Sequence, residues 1–183
     1  TVIVLADTMV KHNLASSEYN IRRQQCNTGV DTIRKFHPQI NSLRDVHSNM
    51  LSEVKSKLDS KVYDRCKYVI DEIVRLEQAC EALKKDDYTT FGKRMYETHD
   101  GLSKLYEVSC DELDLLVEAS KTVDGVYGAR MMGGGFGGCT INLVSKDKTE
   151  IFIEKIGSKF KSRFGHIPTF YQVEISQGAH VVN

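Results

Sequence analysis

The sequence lacks the features that mark a membrane, nucleic-acid-binding or disulfide-stapled protein. No apolar run approaches the ~18 residues needed to span a bilayer, and no signal peptide is visible. Positive charge is not in surplus: 25 Lys+Arg against 25 Asp+Glu leave a net charge of zero. A nucleic-acid binder needs excess positive charge to displace counterions from phosphates, so neither nucleic acid nor membrane is an expected partner. Cysteines are few and scattered. Cys26, Cys66, Cys80, Cys110 and Cys139 are odd in number and distant in sequence, which suits free thiols in a reducing, cytoplasmic compartment better than a disulfide framework or a zinc site. There is no internal repeat and no low-complexity linker. Apolar residues at 40% and charged residues at 27% are an ordinary globular balance. The 183 residues suffice for one domain, or one and a half, with a real core.

Val2 to Asp7 is continuous, apolar and β-branched, the pattern of a buried strand. It opens the chain without a Met or a leader, and a buried strand usually has chain on both sides, so a fragment of something longer is expected. Ser16 and Ser17 suit the N-cap of a helix carrying Cys26, Val30 and Ile33. Pro38 ends that helix or its trailing loop. A weaker amphipathic stretch runs from Val46 to Leu58. Cys66, Val69, Ile70, Ile73, Leu76, Cys80 and Leu83 recur at helical spacing and form one apolar face. Tyr88, Phe91, Met95, Leu102 and Leu105 predict another helix. Ser109 and Glu112 read as a capping box before Leu113, Leu116 and Val117.

Gly125 then changes the period to two. Val126 to Met132 reads as a strand. After the loop, Cys139, Ile141 and Leu143 alternate with Thr140 and Asn142, a half-buried strand. A helix from about Glu150 precedes a strand with Tyr171, Val173 and Ile175, and 179–182 suits a short edge strand. Without the extra helices the order is β-α-β-β-α-β. The expected fold class is α+β, a ferredoxin-like split plait with an antiparallel sheet, helices on one face and additional inserted helices.

The loop between the two middle strands is Gly133-Gly134-Gly135-Phe136-Gly137-Gly138. Gly133, Gly135 and Gly138 satisfy G-x-G-x-x-G. A dinucleotide fingerprint must open a helix whose N-terminus meets the pyrophosphate, and here a strand follows, so that reading fails. Two others remain: a turn whose glycines supply positive φ, or a bare backbone that a ligand approaches closely. Five glycines in six positions exceed what a turn needs, which favours the ligand.

Read with its flanks, GVYGARMMGGGFGGCTINL (125–143) resembles the third motif of the galactokinases, members of the galactose–homoserine–mevalonate–phosphomevalonate kinase superfamily, typically G-x-x-G-[SA]-R-M-T-G-G-G-F-G-G-C. KHNLASSEYNIRRQQC (11–26) is similar to the family's R-H-x-L-x-x-S-E-Y-x-x-R-R-x-x-C, and THDGLSKLYEVSCDELDLLVE (98–118) is galactokinase-like too. The three stretches stand in family order. Met132 replaces the usual Thr, and Lys11 the common Arg, which keeps charge but not the bidentate fork.

The resemblance implies that residues 1–183 form the C-terminal domain of an ATP- and Mg2+-dependent kinase acting on galactose, with its own N-terminal domain as partner. The family's G-E-H-T-D-Y and G-L-S-S-S-A motifs are not found; Gly101-Leu102-Ser103 lies in a helical pattern and continues differently. No catalytic residue and no metal ligand is therefore assigned to this chain. Tyr19, at the Tyr of S-E-Y, is implied to contact the sugar; without the resemblance it reads as a tyrosine packed at a helix start. Gly133, Gly134, Gly135, Gly137 and Gly138 are implied to line the triphosphate region. Arg22 and Arg23 read as exposed helix arginines and His99 as a half-buried, satisfied histidine. An N-acetylgalactosamine kinase and a non-catalytic sugar/ATP sensor are the alternatives.

Overall fold

The computed structural model describes residues 1–10, 15–176, 178–179 and 181. Its centre is a four-stranded antiparallel sheet of β1 (Val2–Asp7), β2 (Val126–Met131), β3 (Cys139–Val144) and β4 (Thr169–Val173), in the order β2-β3-β1-β4. The apolar β1 lies inside the sheet, paired on both edges, as its sequence predicts. This order, with one crossover before β2 and another before β4, is the split plait.

Among the described residues there are six α-helices: α1 (Ala15–Arg34), α2 (Ser48–Glu53), α3 (Ser60–Lys84), α4 (Tyr88–Lys104), α5 (Asp111–Ser120) and α6 (Thr149–Phe164). The helices α5 and α6 cover one sheet face. There Leu116, Ala119, Phe152, Ile156 and Phe160 pack on Val4, Ala6 and Val144. A second core joins α1 to α3 through Val30, Ile33, Ile40, Leu43, Leu51, Cys66 and Ile70. Burial pushes the Cys66 thiol up to about 12, so it packs as an inert apolar group. The α4 helix lies directly along β2: a β-carbon on Gly92 would come within 1.9 Å of the Tyr127 carbonyl oxygen, so a side chain there would separate the two backbones. Ile3, Leu5 and Ile141 remain half-buried and Tyr171 is 49% exposed, neighbours on the other sheet face by register.

Several local expectations change. In β3 the alternation is right but its phase is inverted: Thr140 and Asn142 are fully buried, while Cys139 and Ile141 are half-buried. The polar side chains are tolerated because they are hydrogen-bonded. The Asn142 amide donates to the Val4 carbonyl (2.9 Å) and Thr140 Oγ1 (3.0 Å), and accepts from Ser120 Oγ (3.2 Å). The helix α5 starts after Cys110 with no side-chain cap; Ser109 Oγ instead donates to Asp114 Oδ1 at 2.5 Å. The α3 face is not wholly inward, with Leu76 62% and Leu83 48% exposed. The 46–58 stretch is a short α2 flanked by a 3-10 turn at Lys55–Lys57, with Val46, Leu51 and Val54 buried. Since α1 begins at Ala15, Ser16 and Ser17 lie within its first turn rather than before it. Lys11 lies outside the described residues, as does part of 179–182, whose described Ala179 and Val181 are not in a strand.

Candidate functional site

The glycine loop joins β2 to β3, and the Met132 N–H donating to the Cys139 carbonyl (3.0 Å) closes its base. Gly133, Gly135, Gly137 and Gly138 all have positive φ, at 80°, 87°, 135° and 78°, and so does Phe136 at 61°. Two contacts hold the loop from below. The Gly138 carbonyl accepts from the Thr8 N–H (2.9 Å) and Thr8 Oγ1 (2.8 Å) beyond β1. The Phe136 N–H donates to the Val108 carbonyl (2.7 Å), and its ring joins a small core of Val108, Leu113 and Met131. A β-carbon on Gly135 would lie 2.0 Å from the Val108 oxygen, whereas one on Gly133 or Gly134 would meet nothing within 4 Å.

These facts split the glycines into two groups. Gly133, Gly135, Gly137 and Gly138 have a reason internal to the fold in their positive φ, and Gly135 and Gly137 also in the backbone they lie against. Gly134 has none: its φ is not positive and the space around it is open. The Gly133–Gly134 corner is therefore a bare, accessible stretch of backbone, and it supports the ligand-approach reading better than the glycine count does.

His99 sits behind the loop. It is 2% exposed rather than half-buried. Its Nδ1 accepts the Met131 N–H (3.2 Å), so Nε2 carries the proton and donates to Asp114 Oδ1 (3.0 Å). Burial raises the Asp114 carboxyl, but donors from His99, Ser109 and Ser103 outweigh it and hold the group below its ordinary value. This cluster fixes the strand end from which the loop departs.

Tyr19 lies near the start of α1, 64% exposed, on the rim of a groove that Arg23, Cys26, Asn27 and Tyr106 also line. Its neighbour on the helix, Arg22, is not the exposed arginine that helix statistics suggest. It is 8% exposed, donating from Nε to the Tyr106 carbonyl (2.7 Å), from Nη2 to the Glu107 carbonyl (2.8 Å) and from Nη1 to Glu18 (3.0 Å). Arg23 is exposed as expected. Arg65, 1% exposed, reaches the same segment, donating to the Leu105 carbonyl and to Glu107 Oε2 (2.6 Å). Neither burial has a sequence signal, because both depend on a loop 40 or more residues away. Among the described residues, no group of three or more His, Cys, Asp or Glu side chains is arranged to hold a metal ion.

Residues 79–162 match the family described as "GHMP kinases C terminal". Galactokinases are among the proteins the chain is similar to. It is 41% identical over 181 residues to the galactokinase of Clostridium beijerinckii, covering 98% of this chain and 46% of that one. It is 39% identical to the Homo sapiens galactokinase over 180 residues, 98% of this chain and 44% of that one. The solved structure of Lactococcus lactis galactokinase complexed with galactose superposes with a TM-score of 0.90 at 30% identity, over 97% of this chain and 46% of that one. The chain spans about half the length of the curated relatives it matches. No helix among the described residues is long and apolar enough to cross a membrane.

Proposed function

We propose that the protein is part of a cytoplasmic galactokinase that moves the γ-phosphoryl of ATP to the C1 hydroxyl of α-D-galactose. The observation that carries this reading is the similarity to galactokinases along almost the whole chain, at 41% identity in sequence and a TM-score of 0.90 in structure. In phosphoryl transfer the protein contributes mainly positioning and charge stabilisation. This domain supplies one wall of the cleft. Tyr19 offers a phenol oxygen and a flat ring to the sugar. Gly133–Gly138 present open backbone on the phosphate side. The remaining half of the kinase supplies the chemistry, most contacts to ATP and the residues that hold Mg2+, which neutralises phosphate charge.

The test is ATP-dependent phosphorylation of galactose by the intact protein and by the 183-residue chain. The intact protein turns over and the chain alone does not. No turnover by the intact protein defeats the kinase reading. Steady turnover by the chain alone defeats the assignment of the chemistry to the other half.

A further inference from the structure

The three residues from Tyr106 to Val108 lie between α4 and α5, where the Tyr106 and Val108 N–H groups donate to the Gly101 and Leu102 carbonyls near the end of α4 (2.9 and 3.0 Å). Glu107 adopts φ 51°, a conformation that costs a non-glycine residue about 1 kcal/mol or more. Two arginines from other helices hold the carbonyls that this anchoring leaves free. On one side Arg22 of α1 donates to the carbonyls of Tyr106 and Glu107, while Arg65 of α3 holds the Leu105 carbonyl and the Glu107 carboxylate. The Tyr106 ring adds a contact, tilted by 39° against the Tyr68 ring with centroids 5.1 Å apart and its hydroxyl 3.7 Å from Cys26 Sγ. On the other side the segment ends in the Val108 carbonyl, the acceptor for Phe136 and the surface against which Gly135 lies. The helix that bears Tyr19 and the glycine loop are thus referenced to one short backbone stretch.

We propose that Arg22 is a positioning residue that couples the Tyr19 helix to the glycine loop through Tyr106–Val108, keeping the sugar side and the phosphate side of the site in one register. The inference rests on the kinase reading of those two sides. Arginine is required because its planar fork reaches two carbonyls at once, while a lysine in its place keeps the charge but not the bidentate geometry. The coupling is mechanical: Arg22 touches no reacting atom. Its loss frees the 106–107 carbonyls, the segment relaxes, and the Val108 oxygen no longer meets the Phe136 N–H.

The experiment uses the intact kinase and Arg22→Lys, reading amide hydrogen exchange at Phe136 with Leu143 in the middle of β3 as the internal reference. The expected result is at least tenfold faster exchange at Phe136 with less than twofold change at Leu143, accompanied by at least a tenfold loss of kcat/KM for galactose. Unchanged exchange at Phe136 overturns the proposal, as does acceleration equal to that at Leu143, which signals global destabilisation. Exchange does not require turnover, so a protein that never phosphorylates galactose defeats the functional reading while the exchange result still decides the coupling. Should Arg22→Lys not fold, the wild type decides. The Arg22 Nε–H and the Phe136 amide then show one shared opening free energy across low denaturant, and two distinct ones overturn the coupling.

Discussion

Gly135 and Val108 meet backbone to backbone, with no room for a β-carbon between them: one added at Gly135 would stand 2.0 Å from the Val108 carbonyl oxygen. Gly135 also has φ 87°. Gly135→Ala therefore combines a left-handed strain of about 1–2 kcal/mol with a clash against backbone that cannot swing aside. We expect it to lower stability by more than about 2 kcal/mol in denaturant unfolding. Gly134→Ala meets neither obstacle and is expected to leave stability within about 0.5 kcal/mol. A Gly134→Ala protein with wild-type stability and reduced kcat would locate ligand approach at that corner. Wild-type kcat in that variant would return the loop to a plain turn.

Tyr19 is 64% exposed, so little of the fold depends on it. Tyr19→Phe is expected to keep the thermal midpoint within about 1 °C and to raise KM for galactose about fivefold, the loss of one neutral hydrogen bond of about 1 kcal/mol. KM for ATP stays unchanged. Galactose KM at the wild-type value would remove Tyr19 from the site.

Arg65 and Glu107 share an ion pair whose two ends are unequal. The arginine side chain is 1% exposed and the glutamate 45%. Arg65→Met leaves the Leu105 carbonyl without this donor in a buried setting and is expected to cost about 3 kcal/mol. Glu107→Gln leaves Arg65 its Leu105 bond, and its own side chain faces water, so about 1 kcal/mol or less is expected. Equal losses in urea titrations of the two variants would contradict this asymmetry.

Acid should weaken the fold through two carboxylates. Arg65 and Lys61 hydrogen-bond Glu107 and hold it below its ordinary 4.5. Asp114, with burial opposing and three side-chain donors prevailing, lies below its ordinary 3.8. A carboxyl depressed in the folded state stabilises fully above its unfolded value, and that stabilisation drains away as pH falls through the folded one. The thermal midpoint is expected to hold near neutrality and to fall below about pH 4.5, less steeply in Asp114→Asn. A midpoint unchanged down to pH 3 would show that neither group matters.

Much of the architecture was legible because it follows from local period. The switch from helical spacing to alternation at Gly125, and β-branched Val2–Asp7, place every strand of the sheet. The inversion in β3 was not legible. Alternation sets which residues share a face but not which face is buried, and the usual rule puts Thr140 and Asn142 outside. They face inward because Ser120 and the Val4 carbonyl, from other elements, satisfy Asn142. The Ser109–Glu112 capping box failed for a related reason: Asp114, already joined to His99, competed for the Ser109 hydroxyl.

The sequence by itself determined the split plait, the strand-to-strand setting of Gly133–Gly138 and the resemblance to galactokinases, since each is written in short-range pattern or in residue order. Only the tertiary structure decided which glycines the fold requires and which lie open, and that Arg22 is buried. Both depend on the Tyr106–Val108 backbone, brought by long-range packing against α1 on one side and the loop on the other. No local pattern encodes a hydrogen bond between residues 84 positions apart.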